Sequence, residues 1–378
     1  SLNNELIAFG LDVFNDIDIS TIPVLDMQAA ISSATSSISN PISDIIVNDN
    51  LKVLANPQYR TYEYHLVYEV SFSTRVEHGP ANYICYVDAN DGELLMRKNT
   101  VMYEAPPTGT ATVSGEVYTS HSYNPSSNEK LRYLKAIDQS SNTDYYTDNN
   151  GEVFLPMPLG TEVRYKLEGL YADVETDATT PDIFEDLVSV NTINFDNYST
   201  IQERTAYWAV NEIHDHLKVV FPTYDGLDIP METNVDVSGN CNAYYDGSSI
   251  NFYEQGGGCQ ATAEVVDVVY HEYGHAINNG RYSGTGWGGG MENGALNEGF
   301  ADIWALSLTQ SPILGIGFYQ NNSTGFVRRY DQDRKVYPQD LVGEVHADGE
   351  IICGAFWDTY LNLGNMHQAL ELFVDLYD

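Results

Sequence analysis

Along residues 62–73 apolar side chains recur at every second position (Tyr64, Leu66, Tyr68, Val70, Phe72), with polar residues filling part of the gaps. A period of two puts them on one face of a half-buried strand. Residues 82–88 read as a second strand, and Asn90-Asp91-Gly92 turns the chain back into Glu93-Leu94-Leu95-Met96, because Asp-Gly adopts the backbone of a tight hairpin turn. Ahead of the strands, Met27-Gln28-Ala29-Ala30-Ile31 starts a helix with Asp26 as its N-cap. Residues 2–12 are a short apolar stretch, and residues 32–43 are a Ser-rich helix end and loop. Residues 1–105 are therefore expected to form an α+β unit, a helix on an antiparallel sheet. Ala105-Pro106-Pro107-Thr108-Gly109 is a linker by composition. Residues 110–171 are β-rich, with turns at Asn149-Asn150-Gly151 and Leu159-Gly160. The span 106–180 reads either as a small β domain or as the first lobe of the unit that follows, residues 181–378.

The period changes at Ser199. Thr200 and Glu203 form a capping box, and Ala206, Tyr207, Val210, Ile213 and Leu217 recur at helical spacing. His214 and His216 lie two apart on this helix, so they do not face one metal together and are expected to be structural or surface histidines. Residues 242–253 read as a hairpin. An apolar helix then begins near Ala261 and is expected to end at Asn279-Gly280, with Gly280 in the left-handed conformation. The glycines Gly284, Gly286, Gly288, Gly289 and Gly290 make the next stretch a loop, expected to be mobile.

That apolar helix carries the densest chemistry. Val265-Val266-Asp267-Val268-Val269-Tyr270-His271-Glu272-Tyr273-Gly274-His275 contains H-E-x-x-H, which places His271 and His275 one turn apart on one face. Two imidazoles so placed can bind one Zn²⁺, with Glu272 between them in reach of the attacking water. A third ligand is expected downstream in Asn297-Glu298-Gly299-Phe300-Ala301-Asp302, where Glu298 and Asp302 share one face of a second helix.

The chain has 378 residues and a formal net charge of −37, which argues against nucleic acid as a partner. The same charge favours solubility, cation binding and a salty environment. Asp331-Gln332-Asp333 and Asp225-Gly226-Leu227-Asp228 are candidate Ca²⁺ ligands on this ground. No run of apolar residues is long enough for a membrane span. Ser1-Leu2-Asn3-Asn4 has neither an initiator Met nor a basic leader region, as expected of a trimmed chain or one whose signal peptide is gone. The cysteines at 85, 241, 259 and 353 show no C-x-x-C spacing, so a Cys-type zinc site is not expected. Cys241 and Cys259 flank one compact loop and are the expected disulfide, which points to an oxidising compartment; the alternative is four buried thiols.

His271, Glu272, His275, Glu298 and Asp302 together resemble the gluzincin metallopeptidases, specifically the thermolysin and fungalysin families, over residues 200–360. The resemblance implies an α+β, thermolysin-like fold and an endopeptidase acting on peptides or proteins. His271, His275 and Glu298 would be the zinc ligands. Glu272 would be the general base that passes a proton to the leaving amine. Asp302 would hold the outer nitrogen of His271, with Asn297 also supporting the ligands. Glu344-Val345-His346-Ala347-Asp348-Gly349-Glu350 resembles the fungalysin segment whose histidine donates to the developing oxyanion, a role that falls to His346, with Asp340, Glu344 or Glu350 to orient it. Asn242-Ala243-Tyr244 resembles the edge strand that binds the substrate backbone.

Asp18-Ile19-Ser20-Thr21, Pro23 and the segment Tyr86-Val87-Asp88-Ala89-Asn90-Asp91-Gly92-Glu93 resemble the propeptide shared by fungalysin and thermolysin precursors, without its first elements. Residues 1–105 would then be an intramolecular inhibitor and folding aid of a secreted precursor. Cys85 lies mid-strand and is expected to be buried or half-buried, not a zinc ligand.

The chain departs from the pattern in three places. The stretch between His275 and Glu298 is longer than in thermolysin, and the assisting tyrosine has no clear counterpart, Tyr282 and Trp287 being merely in range. Little of the helical C-terminal lobe follows His346, so that lobe is expected to be incomplete. Two alternatives stay open: a zinc-binding scaffold without hydrolysis, and an aminopeptidase. The second rests on Gly290-Met291-Glu292-Asn293, which loosely matches an aminopeptidase motif but follows H-E-x-x-H where that family has it first.

Overall fold

The structure is a computed structural model that describes residues 17–58, 61–76, 79–101, 108–282 and 291–377. The apolar stretch 2–12, the Pro106-Pro107 linker, the glycines from 284 to 290 and Trp287 lie outside the described residues. The chain divides into two compact units, Ser1–Ala105 and Pro106–Asp378.

In the first unit a helix, α1 (Met27–Thr35), covers a sheet of β1 (Ser43–Val47), β2 (Lys52–Gln58), β3 (Thr61–Val76), β4 (Gly79–Asp88) and β5 (Leu94–Asn99). The Asp26 carboxylate accepts the Ala29 N–H at 2.9 Å and so satisfies one of the free amides at the helix start. The long strand β3 pairs with β4 on one side and with both β1 and β2 on the other, all antiparallel. Leu66, Tyr68, Val70 and Phe72, the residues of period two, pack with Cys85 and Val87 against Ala30 and Ala34 of the helix. Cys85 is fully buried.

The second unit opens with β6 (Gly109–Val117), β7 (Ser127–Lys130), β8 (Leu134–Asp138), β9 (Thr143–Tyr146) and β10 (Glu152–Leu155). Next come β11 (Glu162–Gly169), β12 (Ala172–Glu175), β13 (Asp182–Asp186) and β14 (Val190–Asn194). Helix α2 (Ile201–Val220) precedes β15 (Met231–Val237), β16 (Ala243–Tyr245) and β17 (Ser249–Tyr253). The helical part comprises α3 (Val266–Tyr282), α4 (Gly294–Thr309), α5 (Val345–Leu363) and α6 (Met366–Val374), with short strands β18 (Ile313–Leu314) and β19 (Arg328–Arg329) between α4 and α5. The main sheet runs β16-β17-β15-β12-β11-β8-β9, with β13 also on β11; a smaller sheet joins β10, β6 and β14, with β7 on β6. One hydrophobic core extends from Ala111 in β6 to Tyr377, so the β-rich stretch from residue 108 to 180 shares it with the helices.

Helix α2 carries the capping box at Thr200 and Glu203 and buries Ala206, Tyr207, Val210, Ile213 and Leu217. His214 is buried, stacks on Tyr171 at 3.6 Å between ring centroids and contacts Asp228; His216 contacts the Ser307 hydroxyl.

Two close approaches set the helices around the cleft. A Cβ on Gly274 would lie 2.8 Å from Ala301 Cα, so α3 and α4 meet backbone to backbone there. A Cβ on Gly299 would lie 2.6 Å from Gly349 O, which brings α5 equally close to α4. The expected end of α3 at Gly280 is corrected: the helix continues to Tyr282 and Gly280 does not adopt a positive φ. Gly280 serves close packing instead, since a Cβ there would sit 2.1 Å from Tyr224 Oη. Among the described residues no helix is long and apolar enough to cross a membrane.

Candidate active site

Helical spacing on α3 projects His271 and His275 from one face toward α4. Their Nε2 atoms lie 3.1 Å apart. Glu298 on α4 reaches the same point, with Oε2 3.3 Å from His271 Nε2 and Oε1 3.6 Å from His275 Nε2. Ligand atoms about 2.1 Å from a tetrahedral zinc stand roughly 3.4 Å from one another, which these separations match. Glu298 Oε2 is moreover buried without a hydrogen-bond partner, as expected of an atom that faces a cation. Among the described residues, His271, His275 and Glu298 are the cluster able to hold a metal ion. Two imidazoles and a carboxylate are the donor set of a catalytic zinc, with a fourth position left open.

The outer atoms of both histidines are held. His271 Nδ1 lies 2.6 Å from Asp302 Oδ1. Burial opposes charge on Asp302, yet the Arg328 guanidinium and His271 hold its carboxyl far below the usual range. Arg328 donates to it twice, from Nε and Nη2, each at 2.7 Å, and Tyr330 Oη donates to the same carboxylate. His275 Nδ1 faces Asn297 Oδ1 at 3.1 Å. Burial is the largest influence and raises Glu298, but the interactions with His271 and the charges of His275 and His346 together outweigh it and leave its carboxyl at about 2, an anion.

Glu272 sits between the two histidines on the cleft side and is 4 % exposed. Burial pushes its carboxyl up to about 7; the positive charge of His271 acts against that and the charge of Glu298 adds to it. A carboxylate so poised exchanges protons near neutral pH.

His346 opens α5 and is half exposed. Its Nδ1 contacts Glu344 Oε1 at 2.8 Å, and its Nε2 lies 3.3 Å from Glu298 Oε2. Of the three acidic candidates, Glu344 is the one in contact with it. The same carboxylate caps the helix by accepting the N–H groups of His346 and Ala347. Asp340 is turned away and accepts the Val336 N–H.

The cleft has a volume of about 450 Å³. Asn242, Ala243 and Tyr244 line it at the edge of the main sheet, where, among the described residues, β16 pairs with β17 alone. Val268, Leu314, Phe318 and Val327 give the cleft an apolar wall. A disulfide joins Cys241 to Cys259 just before the edge strand, and Cys353 is buried and free.

Other expected residues lie elsewhere. Tyr282 donates its hydroxyl to Leu376 O, and Asn293 of the aminopeptidase-like motif caps α4. In the acidic stretches considered for calcium, Asp331 pairs with Arg329, and Asp228 with Lys218 and His214. Sequence reasoning missed Arg328, Tyr330 and the apolar wall. Arginine in an acidic chain, at Val327-Arg328-Arg329, was the available signal for the first.

A helix with two histidines and a glutamate, crossed by a helix that adds an acidic ligand and a buried orienting carboxylate, defines the metallopeptidase class of site. Residues 257–370 match the sequence profile of the family described as fungalysin metallopeptidase (M36). The chain is also similar to thermolysin of Bacillus sp. (strain EA1), 28 % identical over 251 residues, which cover 63 % of this chain and 40 % of that protein. The chain thus spans less than half the length of this curated relative. The comparisons and the site together support a metallopeptidase of the thermolysin/fungalysin type, with the family match resting on residues 257–370.

Proposed function

We propose that the chain is a zinc-dependent endopeptidase made as a secreted precursor. The observation that carries this reading is the convergence of His271, His275 and Glu298 on one point with the buried Glu272 carboxylate beside it. Zinc, when bound, polarises the scissile carbonyl and lowers the pKa of the attacking water. Glu272 takes the proton of that water and delivers it to the leaving amine. His346, held at Nδ1 by Glu344, turns Nε2 toward the cleft to donate to the developing oxyanion. An extended peptide adds to the free edge of β16 through its backbone, while one of its side chains enters between Val268, Leu314, Phe318 and Val327. That apolar wall favours an apolar side chain there.

Glu272→Gln tests the assignment. It removes the base and leaves every proposed ligand, so one zinc per chain should remain while casein hydrolysis disappears. Loss of zinc in that variant refutes the division of roles. A wild-type chain that binds one zinc and cleaves nothing supports the scaffold reading instead.

Residues 1–105 are assigned as the propeptide, an inhibitor and folding aid. Their resemblance and their compactness as a separate unit support this. Incubated with zinc, the wild-type chain should cut itself between about residues 97 and 112 and gain activity as it does, exposed linkers being the usual sites of cleavage. Full activity of the uncut chain from the first minute refutes inhibition but leaves the peptidase reading intact. The Cys241–Cys259 disulfide supports an oxidising, extracellular setting.

A further inference from the structure

A line of buried polar side chains begins near the C-terminal end of the described fold and ends at the metal site. Trp304 on α4 is fully buried and donates its Nε1–H to Tyr377 Oη at 2.9 Å. Tyr377 Oη donates to Asn278 Oδ1. Asn278, fully buried on α3, donates from Nδ2 to Asn297 O at 3.0 Å and to Asn297 Oδ1 at 2.8 Å. Asn297 Oδ1 is also the atom 3.1 Å from His275 Nδ1.

The chemistry of the first member sets the direction of every later one. An indole nitrogen donates and has no lone pair with which to accept. Tyr377, having accepted from it, gives its single proton to Asn278 and so requires the amide oxygen there. The Asn278 NH₂ group must then face Asn297, which must answer with oxygen. An oxygen in that place accepts N–H from His275 Nδ1. The His275 proton is thereby held on Nδ1, and the lone pair of Nε2 is left on the metal side.

We infer that Tyr377, backed by Trp304, is a positioning residue that fixes the tautomer of His275 through Asn278 and Asn297. This deepens the reading of His275 as a zinc ligand and rests on it. Packing does not require the hydroxyl, because a phenylalanine at 377 would fill the same place beside Phe300 and Phe373, whose ring centroids lie 5.4 and 5.6 Å away. What phenylalanine would lose is one of the two groups that aim the Asn278 amide, the Tyr377 hydroxyl on its oxygen, the other being the Asn297 carbonyl that accepts from Nδ2.

The test uses the full chain in two measurements. In the metal-free protein, ¹⁵N NMR of the imidazole nitrogens should find wild-type His275 protonated at Nδ1 alone. Tyr377→Phe should populate both tautomers. Zinc affinity, measured by competition with a chelator, should fall about 10-fold in that variant, the lower end of what an outer partner of a metal ligand is worth. Phe373→Leu disturbs the same aromatic cluster without touching the polar line, and should leave tautomer and affinity unchanged. If Tyr377→Phe does not fold, Trp304→Phe removes the donor that sets the direction, keeps an aromatic ring, and is read in the same two ways. The inference is overturned if these variants keep His275 wholly at Nδ1 with wild-type zinc affinity, or if Phe373→Leu reproduces both changes. Should the wild-type chain bind no zinc, the metal assignment falls, while the NMR measurement still decides the claim about the tautomer.

Discussion

Asp267 lies one turn before His271 on α3, and replacing it with asparagine should change how stability depends on pH. Asp267 Oδ2 accepts the Gly315 N–H at 2.9 Å, while Oδ1 is sealed from solvent with no hydrogen-bond partner. Burial pushes the carboxyl up to about 7, the Gly315 N–H works against the shift, and the charge of Asp302 adds to it. An aspartate in the unfolded chain titrates near 3.9. Between roughly pH 4 and 7 the folded protein therefore holds a proton that the unfolded chain has released. More protons bound in the folded state means that stability falls as pH rises through this window, by at most about 1.4 kcal/mol per unit. Over the whole shift the loss is about 4 kcal/mol at pH 8. That is an upper limit, since part of the Asp267 surface stays accessible although its Oδ1 does not. The asparagine side chain would keep an oxygen for Gly315 and carry no charge at any pH. Urea unfolding at pH 5, 6, 7 and 8, with zinc saturating and Glu272→Gln as the common background to prevent self-digestion, measures the difference. Asp267→Asn should already be more stable than its parent at pH 5, by up to about 1.5 kcal/mol, and increasingly so toward pH 8. Two curves that stay parallel across the range, or an asparagine variant that is less stable at pH 8, would refute the reasoning.

Gly274→Ala places a Cβ 2.8 Å from Ala301 Cα and 3.0 Å from Ala301 O, so it should force α3 from α4, cost about 1–3 kcal/mol in urea unfolding and weaken zinc binding, despite the better helix propensity of alanine. An unchanged zinc affinity would mean that the helix spacing does not set the site. His346→Ala should lower kcat by roughly 10²–10³-fold with metal content unchanged, as loss of one oxyanion donor does; a change confined to KM would assign His346 to substrate binding. Millimolar calcium should leave the melting temperature of the zinc-loaded chain unchanged, because Asp331 and Asp228 are already paired with Arg329 and Lys218. A calcium-dependent rise would place a second cation site elsewhere.

The parts of the fold legible from sequence are those where one local period decides the outcome. Alternation in residues 62–73 and the cap at Asp26 name a strand and a helix without knowledge of any neighbour, and H-E-x-x-H states its own geometry because helical spacing is fixed. What a residue is near after folding is less legible. Gly280 has the composition of a helix end, yet the helix passes through it and the Tyr224 hydroxyl packs where a Cβ would stand. The parallel pairing of β15 with both β12 and β17 depends on crossovers that leave no mark in any single segment. Arg328 follows the carboxylate that it neutralises across an intervening loop and β18, and no period links the two.

The two histidines show why the outer partners are harder to read than the ligands. A zinc ligand must be a particular side chain at a particular spacing, so the motif is short and local. Its outer nitrogen needs an acceptor, which an amide or a carboxylate on any element can supply. His271 has a carboxylate, and that charge in a buried place requires cations and donors of its own, which come from Arg328 and Tyr330 on and beside β19. His275 has an amide, which carries no charge but can be turned either way, so it requires something to fix its direction. Asn278 and Tyr377 meet that second requirement, from α3 and from the last turn after α6. Each choice of acceptor thus recruits a different kind of support. One charge has to be balanced and one dipole has to be aimed, and the residues that do so are scattered because each requirement can be met from any direction in space.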